Sequence, residues 1–188
     1  MGLESNPTFD VDEVRFRYTS MVTPSTVFAY DMTQRTQRVL KVLPVPGFDA
    51  SRYQTTRIMA PAADGTSIPI SLVWLRGVQR DGSAPMLLYG YGSYGITVDA
   101  SFVASRLVLL DRGVVFAIAH VRGGGLMGRP WYEDGKFEHK KNTFTDFIDA
   151  ADHLVAERWC APDRMAIYGG SAGGMLMGAV LNLSLIHI

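Results

Sequence analysis

Residues 165–174 read MAIYGGSAGG, a short apolar run that passes through glycines into a second apolar run. Met165–Tyr168 predicts a strand, and Ala172–Leu185 predicts a helix. Between them, Gly169–Gly173 match G-x-S-x-G, whose small flanking residues allow the tight strand-to-helix turn called a nucleophile elbow. Such a turn lifts a serine hydroxyl above the sheet, where the helix N-terminus favours negative charge that develops nearby. The pattern predicts that Ser171 is a catalytic nucleophile; the alternative is an ordinary glycine-rich turn.

The segments that precede this turn predict strands and helices in alternation. Met86–Tyr89 predicts a strand, and the nearly continuous apolar run Val114–Val121 predicts a strand buried on both faces. Residues 102–112 predict a helix that stops at Gly113. The apolar spacing over 144–155 predicts an amphipathic helix, with Thr143 and Asp146 resembling a capping box before it. This alternation predicts an α/β fold with a mainly parallel sheet.

The earlier part of the chain has a different rhythm. Residues 9–43 predict three short strands, with one of the turns at Thr23-Pro24-Ser25. This meander is close to one propeller blade in length, although no second copy shows a repeat. Residues 44–53 carry two prolines, Pro44 and Pro46, and predict a linker, which we place at 46–54. Residues 55–75 then predict a hairpin around the turn Asp64-Gly65.

Composition and charge exclude several classes of function. The 18 Lys+Arg and 18 Asp+Glu residues balance, which removes the bulk electrostatic attraction to nucleic acid and to anionic membranes. No apolar run reaches about 18 residues, so we expect no membrane span, and the first residues predict no secretory signal. The single cysteine, Cys160, favours a reducing, cytoplasmic setting. Neither H-E-x-x-H nor C-x-x-C occurs, so the sequence predicts no metal site.

A second glycine-rich segment, residues 89–95, reads YGYGSYG. It matches G-x-G-x-x-G, but the β-branched and extended residues that follow do not open a helix, which argues against a dinucleotide site. The loop follows an earlier strand of the same sheet, where α/β-hydrolases place part of the oxyanion hole. A tyrosine hydroxyl can donate to an oxyanion as a backbone amide does. A third glycine-rich segment, Arg122–Gly125, predicts close backbone approach, and we expect Arg122 to be structural.

Five segments together resemble the prolyl oligopeptidase family of serine peptidases, in its oligopeptidase B branch; they are residues 89–95, 120–125, 131–137, 141–144 and 169–176. The resemblance runs from about Phe9 to Asn182 in one register. It implies the N-terminal half of an α/β-hydrolase domain over 55–183, preceded by the end of a β-propeller over 1–45. Residues 184–188 do not resemble the family, and we expect them to be a non-native tail.

The resemblance also implies roles for individual residues. Ser171 would be the nucleophile, and Tyr91 and the Ala172 N–H would be the two oxyanion donors. Asp99 would bind a second basic residue of the substrate, but Ser101 stands where relatives with a strong dibasic preference carry another aspartate. The alternative is that Asp99 caps a helix that starts near Phe102. The implied substrates are short peptides cleaved after Arg or Lys, in the cytoplasm, without metal or cofactor.

The residues that follow Ser171 limit the chemistry. In α/β-hydrolases the triad runs Ser, Asp or Glu, then His along the chain. No Asp or Glu follows Ser171, and the one later histidine is His187 in the doubtful tail. We therefore expect this chain to be an inactive fragment. Two alternatives stay open, an esterase or lipase on the same fold and a noncatalytic binding module. The missing H-G-G-G loop and the Tyr91 loop argue against the first.

Overall fold

The computed structural model describes residues 1–184, which form two sheets and four α-helices. The first sheet is antiparallel and follows chain order, from β1 (Gly2–Leu3) through β2 (Glu13–Ser20) and β3 (Thr23–Asp31) to β4 (Thr36–Val42). The predicted turn at residues 23–25 is wrong, because these residues already belong to β3. The chain reverses at Met21 and Val22 instead, and the Met21 side chain is buried against Tyr53 and other residues of the second sheet.

The second sheet is mixed and has the order β5-β6-β8-β7-β9. Its strands are β5 (Tyr53–Pro61), β6 (Ser67–Leu75), β7 (Met86–Tyr89), β8 (Val115–Ala119) and β9 (Met165–Tyr168). The pairs β8–β7 and β7–β9 are parallel, whereas β5–β6 and β6–β8 are antiparallel. The expectation of a mainly parallel sheet is therefore only half right. The predicted hairpin, β5 and β6, extends this sheet, because β6 pairs with β8.

The helices are α1 (Leu107–Leu110), α2 (Arg129–Glu133), α3 (Lys140–Ala156) and α4 (Ala172–Leu183). α4 begins at the predicted residue. The helix predicted over 102–112 is shorter, with a 3₁₀ turn at Ala104–Arg106 before α1. The capping box is wrong because α3 begins at Lys140, so that Thr143 lies within the helix and is fully buried.

Two hydrophobic cores lie on opposite faces of the second sheet. α3 and α4 cover one face, where Phe147 and Leu176 pack on Leu88 and Ala117. The side chains of Phe116 and Ile118 point to the other face, which Met21, Tyr53 and Leu110 cover. Because successive residues of a strand face opposite ways, the apolar run of β8 serves both cores. This explains why the run lacks polar residues.

Two expectations about the chain concern its termini and membranes. Residues 185–188, which include His187 and most of the predicted tail, lie outside the described residues. Within residues 1–184, no helix is both long enough and apolar enough to cross a membrane.

Candidate active site

The two glycine-rich loops start side by side at one edge of the second sheet. Tyr89 and Tyr168, the last residues of β7 and β9, are direct partners in the parallel register. The Gly90 N–H donates to the Tyr168 carbonyl oxygen at 3.1 Å, which extends the pairing past the strand ends. Parallel strands end at the same edge of a sheet, so the topology delivers the Tyr91 loop and the Ser171 turn to one place.

The backbone of Ser171 makes the sharp turn between β9 and α4. Its φ of 55° and ψ of −122° lie in a region that side chains seldom adopt, and α4 begins at the next residue. A Cβ atom at Gly169 would collide with the Gly173 carbonyl, and one at Gly173 would lie 2.7 Å from the Gly90 carbonyl oxygen. Ser171 is exposed, and its hydroxyl makes no hydrogen bond within residues 1–184. The serine is thus presented to solvent by a strained turn that needs its glycines.

Tyr91 lies against the first turn of α4. A Cβ atom at Gly173 would be 3.5 Å from the Tyr91 Cα and 3.6 Å from its ring carbon Cδ2. Ala172 is the first residue of α4, where backbone N–H groups have no partner inside the helix. The structure therefore brings Ser171, the Ala172 N–H and Tyr91 to one corner of the molecule. Acyl transfer uses a serine hydroxyl together with two hydrogen-bond donors that point at the oxygen that becomes negative.

The segment Arg122–Gly125 is hydrogen-bonded to the Tyr91 loop, by which we mean residues 90–103. The Gly95 N–H donates to the Gly123 carbonyl oxygen at 3.0 Å, and the Gly125 N–H donates to the Ile96 carbonyl oxygen at 3.3 Å. Thr143 of α3 donates its hydroxyl to the Arg122 carbonyl oxygen at 2.7 Å. The two loops and α3 thus form one hydrogen-bonded unit.

Arg122 anchors this unit through a buried ion pair. Its guanidinium contacts Asp146 of α3 at 2.6 Å and Asp64 of the β5–β6 turn at 2.7 Å. Asp146 also accepts the Arg122 N–H at 2.9 Å. The Asp146 carboxylate holds the pKa of Arg122 above its usual value, because it favours the charged form. The expected structural role of Arg122 is confirmed by these contacts, and the Asp146 of the supposed capping box is its partner.

The sequence analysis missed Lys140, the first residue of α3. Its Nζ donates to the Gly92 carbonyl oxygen at 2.5 Å and to the Ser93 Oγ at 2.9 Å. Both acceptors follow Tyr91 directly in the chain. Lys140 stands in a run of basic residues that reads as a solvated surface, so no local pattern distinguishes it.

Comparisons with known proteins agree with this arrangement. Dipeptidyl aminopeptidase BI of Pseudoxanthomonas mexicana is 56% identical over 185 residues, which cover 98% of this chain and 26% of the relative. Protease 2 of Moraxella lacunata is 46% identical over 181 residues, 96% of this chain and 26% of the relative. Oligopeptidase B from Leishmania major superposes with a TM-score of 0.88 at 43% identity, over 96% of this chain and 25% of that one.

The sequence model of the prolyl oligopeptidase family matches residues 100–185. Over nearly its whole length, the chain is similar to members of the prolyl oligopeptidase family. It spans about a quarter of the length of the relatives that it matches. The resemblance seen in the sequence is thereby confirmed, and it includes both relatives and solved structures of the oligopeptidase B type.

Among residues 1–184, no histidine makes a hydrogen bond to Ser171. His120 is buried, and its Nε2 lies 2.9 Å from the Ser71 Oγ. The same Ser71 Oγ accepts a hydrogen bond from the Arg57 Nε at 3.2 Å. Burial, with the nearby Arg57 charge, lowers the pKa of His120 from 6.5 to about 4. His120 is therefore a core histidine, held at the end of a buried strand.

Asp99 lines a cavity of about 350 Å³, together with Tyr89, Tyr168 and Arg106. Its carboxylate is exposed and makes no hydrogen bond within residues 1–184. The capping alternative is wrong, because the 3₁₀ turn starts after Val103 and no side chain caps it. Burial lowers the pKa of Arg106 to about 10, and its guanidinium lies 4.0 Å from the Phe116 ring centroid. The predicted substrate-binding role of Asp99 stays a prediction.

Proposed function

We propose that Ser171, Tyr91 and the Ala172 N–H are the nucleophile and the oxyanion donors of a serine peptidase. The observation that carries this proposal is the positive-φ turn at Ser171, with Tyr91 packed on the helix that the turn begins. In the reaction, the Ser171 Oγ attacks the scissile carbonyl and the two donors stabilise the oxygen that becomes negative. The proton of Ser171 passes to a histidine base that residues 1–184 do not provide.

The proposal includes a domain organisation. Residues 55–183 form the first half of an α/β-hydrolase domain, residues 46–54 link it to a preceding unit, and residues 1–45 end a β-propeller. Support comes from the division between the two sheets, with β4 ending at Val42 and β5 beginning at Tyr53. Further support comes from the parallel strands β8, β7 and β9, with α3 and α4 on one face.

The proposed substrates are short peptides cleaved after Arg or Lys. The names of two similar proteins, oligopeptidase B and protease 2, support a peptide-cleaving function. The name of a third, dipeptidyl aminopeptidase BI, favours a second candidate, the release of dipeptides from a free N-terminus. Arg-amide substrates with free and with acetylated N-termini separate the two. Hydrolysis of both forms supports the oligopeptidase, and hydrolysis of the free form alone supports the aminopeptidase.

The nucleophile is tested in the full-length protein, by which we mean a chain of the relatives' length that contains these residues. A fluorophosphonate probe is expected to label it, and Ser171→Ala is expected to abolish both labelling and Arg-amide hydrolysis. The matched control is Ser67→Ala, which removes an exposed hydroxyl at the start of β6. Labelling that survives Ser171→Ala would overturn the proposal. An unlabelled wild-type protein would support a noncatalytic module, and hydrolysis of acyl esters without any hydrolysis of Arg-amides would support an esterase.

The role of Asp99 is tested by restoring the second acid. In Ser101→Asp, kcat/KM for Arg-Arg substrates is expected to rise several-fold relative to Ala-Arg substrates, because a shielded carboxylate–guanidinium pair is worth about 1 kcal/mol or more. The preference for Arg or Lys at the cleavage site should not change. An unaltered Arg-Arg to Ala-Arg ratio would remove Asp99 from the substrate site.

A further inference from the structure

Lys140 combines a positive charge with neutral acceptors. The ammonium group is half-buried at the start of α3, where it donates to the Gly92 carbonyl oxygen and the Ser93 hydroxyl. No carboxylate lies within ion-pair distance of it among residues 1–184, although most other buried cations of proteins are paired. Burial lowers the pKa of Lys140 below its ordinary value. The desolvation of this ammonium group is not offset by an acidic partner, so the burial of Lys140 calls for another explanation.

The loop that Lys140 contacts has no regular structure of its own. Residues 90–103 contain neither helix nor strand, and Gly92 and Tyr94 have φ values of 67° and 61°. Such a segment keeps one conformation only when its surroundings fix it. Four residues after Tyr91, the loop is fixed by the bond from the Gly95 N–H to the Gly123 carbonyl oxygen. Lys140 is the side-chain donor that holds the loop directly after Tyr91, at Gly92 and Ser93.

Lys140 and Thr143 lie three residues apart on α3, and therefore on the same helix face. Thr143 holds the segment Arg122–Gly125, and Lys140 holds the Tyr91 loop. One rigid helix thus connects both loops. Fixing Tyr91 before substrate arrives is worthwhile because an oxyanion donor acts only within a narrow range of positions.

We propose that Lys140 is a positioning residue that holds Tyr91 in place to donate to the oxyanion. The inference rests on the proposed function and deepens it. Lys140 acts through the Gly92 carbonyl oxygen and the Ser93 hydroxyl, which follow Tyr91 in the chain. Its effect should therefore appear in kcat, where oxyanion stabilisation appears, and should need the Tyr91 hydroxyl.

The test uses Lys140→Met in the full-length protein, since methionine keeps an unbranched apolar stem and removes the donors and the charge. We expect kcat on an Arg-amide substrate to fall about tenfold or more with KM nearly unchanged. Lys140→Arg, which keeps donors and charge, should restore part of the loss. The matched control is Lys141→Met, at an exposed neighbouring lysine, which should keep the wild-type kcat.

A double-mutant cycle with Tyr91→Phe decides whether Lys140 acts through Tyr91. We expect Lys140→Met to cost little in the Tyr91→Phe background, because the hydroxyl to be positioned is gone. An equal loss of kcat in both backgrounds would overturn the inference, as would a loss that is explained by a lowered Tm. If Tyr91→Phe itself keeps the wild-type kcat, the oxyanion assignment in the proposed function fails, and the inference falls with it.

Discussion

Ser171 shows what a single residue contributes to the candidate site. A serine at φ 55° costs about 1–3 kcal/mol of strain, and the close packing of Gly169 and Gly173 on either side of it holds the turn in place. The same strain turns the hydroxyl away from the backbone and into solvent. Strain of this kind is found where geometry matters for chemistry, which agrees with the role proposed for Ser171.

His120 is expected to make stability depend on pH. Its pKa is 6.5 when exposed and about 4 in the folded protein, so the folded state favours the neutral ring. The contribution of His120 to the free energy of unfolding is complete above about pH 6.5. It is lost as the pH falls towards 4, and the total loss is about 3 kcal/mol. NMR of the imidazole carbon in the folded chain should show His120 still neutral at about pH 5.

The control for this prediction is His120→Asn, which assigns the resonance and should flatten the fall in unfolding free energy between pH 7 and pH 5. A His120 titration midpoint above pH 6 would contradict the prediction.

At the scale of elements, α3 holds the candidate site together through the buried pair of Asp146 and Arg122. We expect Asp146→Asn to lower the free energy of unfolding by about 3 kcal/mol, because the buried guanidinium then keeps only the half-exposed Asp64 as a charge partner. Glu133→Gln is the matched control, since Glu133 pairs with Arg129 and Lys136 at the surface, where such pairs contribute less than about 1 kcal/mol. Equal losses in urea unfolding of the two variants would refute the anchoring role of Asp146.

The packing of α4 on the Tyr91 loop is tested by two glycines of the same helix. Gly173→Ala places a methyl group 2.7 Å from the Gly90 carbonyl oxygen, and we expect it to destabilise the fold by about 1–3 kcal/mol. Gly178→Ala meets nothing within 4 Å and should stabilise the helix by about 0.5–1 kcal/mol. Thermal unfolding of both variants measures the difference. A stabilising Gly173→Ala would mean that the loop and α4 are not in close contact.

At the scale of the whole molecule, we expect the 188-residue chain alone to show no measurable peptidase activity. Within residues 1–184, no histidine makes a hydrogen bond to Ser171, and loss of the histidine alone costs a serine peptidase about 10⁶ in kcat. The measurement is hydrolysis of an Arg-amide substrate by the purified chain, with Ser171→Ala as the background control. Cleavage well above that background would show that these residues suffice for catalysis.

Several features of this protein follow from local sequence alone. The bounds of β7 and β9 and the start of α4 are as predicted, because a short apolar run followed by glycines encodes its own strand and turn. The hairpin around Asp64-Gly65 is also confirmed, with the Asp64 carboxylate accepting the Thr66 N–H at 2.9 Å. In each case the deciding residues lie within a few positions of one another.

Tertiary structure decided the features in which distant residues meet. Arg122 and Asp146 are 24 residues apart, and Lys140 and Gly92 are 48 residues apart. Thr143 resembled a helix cap because its local pattern fits one, but the Arg122 carbonyl, 21 residues away, receives its hydroxyl. A local pattern carries no information about such partners, since they depend on the strand order that brings β7, β8 and β9 together. The sequence by itself determined the turn that presents Ser171, and the folded sheet and α3 decided what surrounds and holds it.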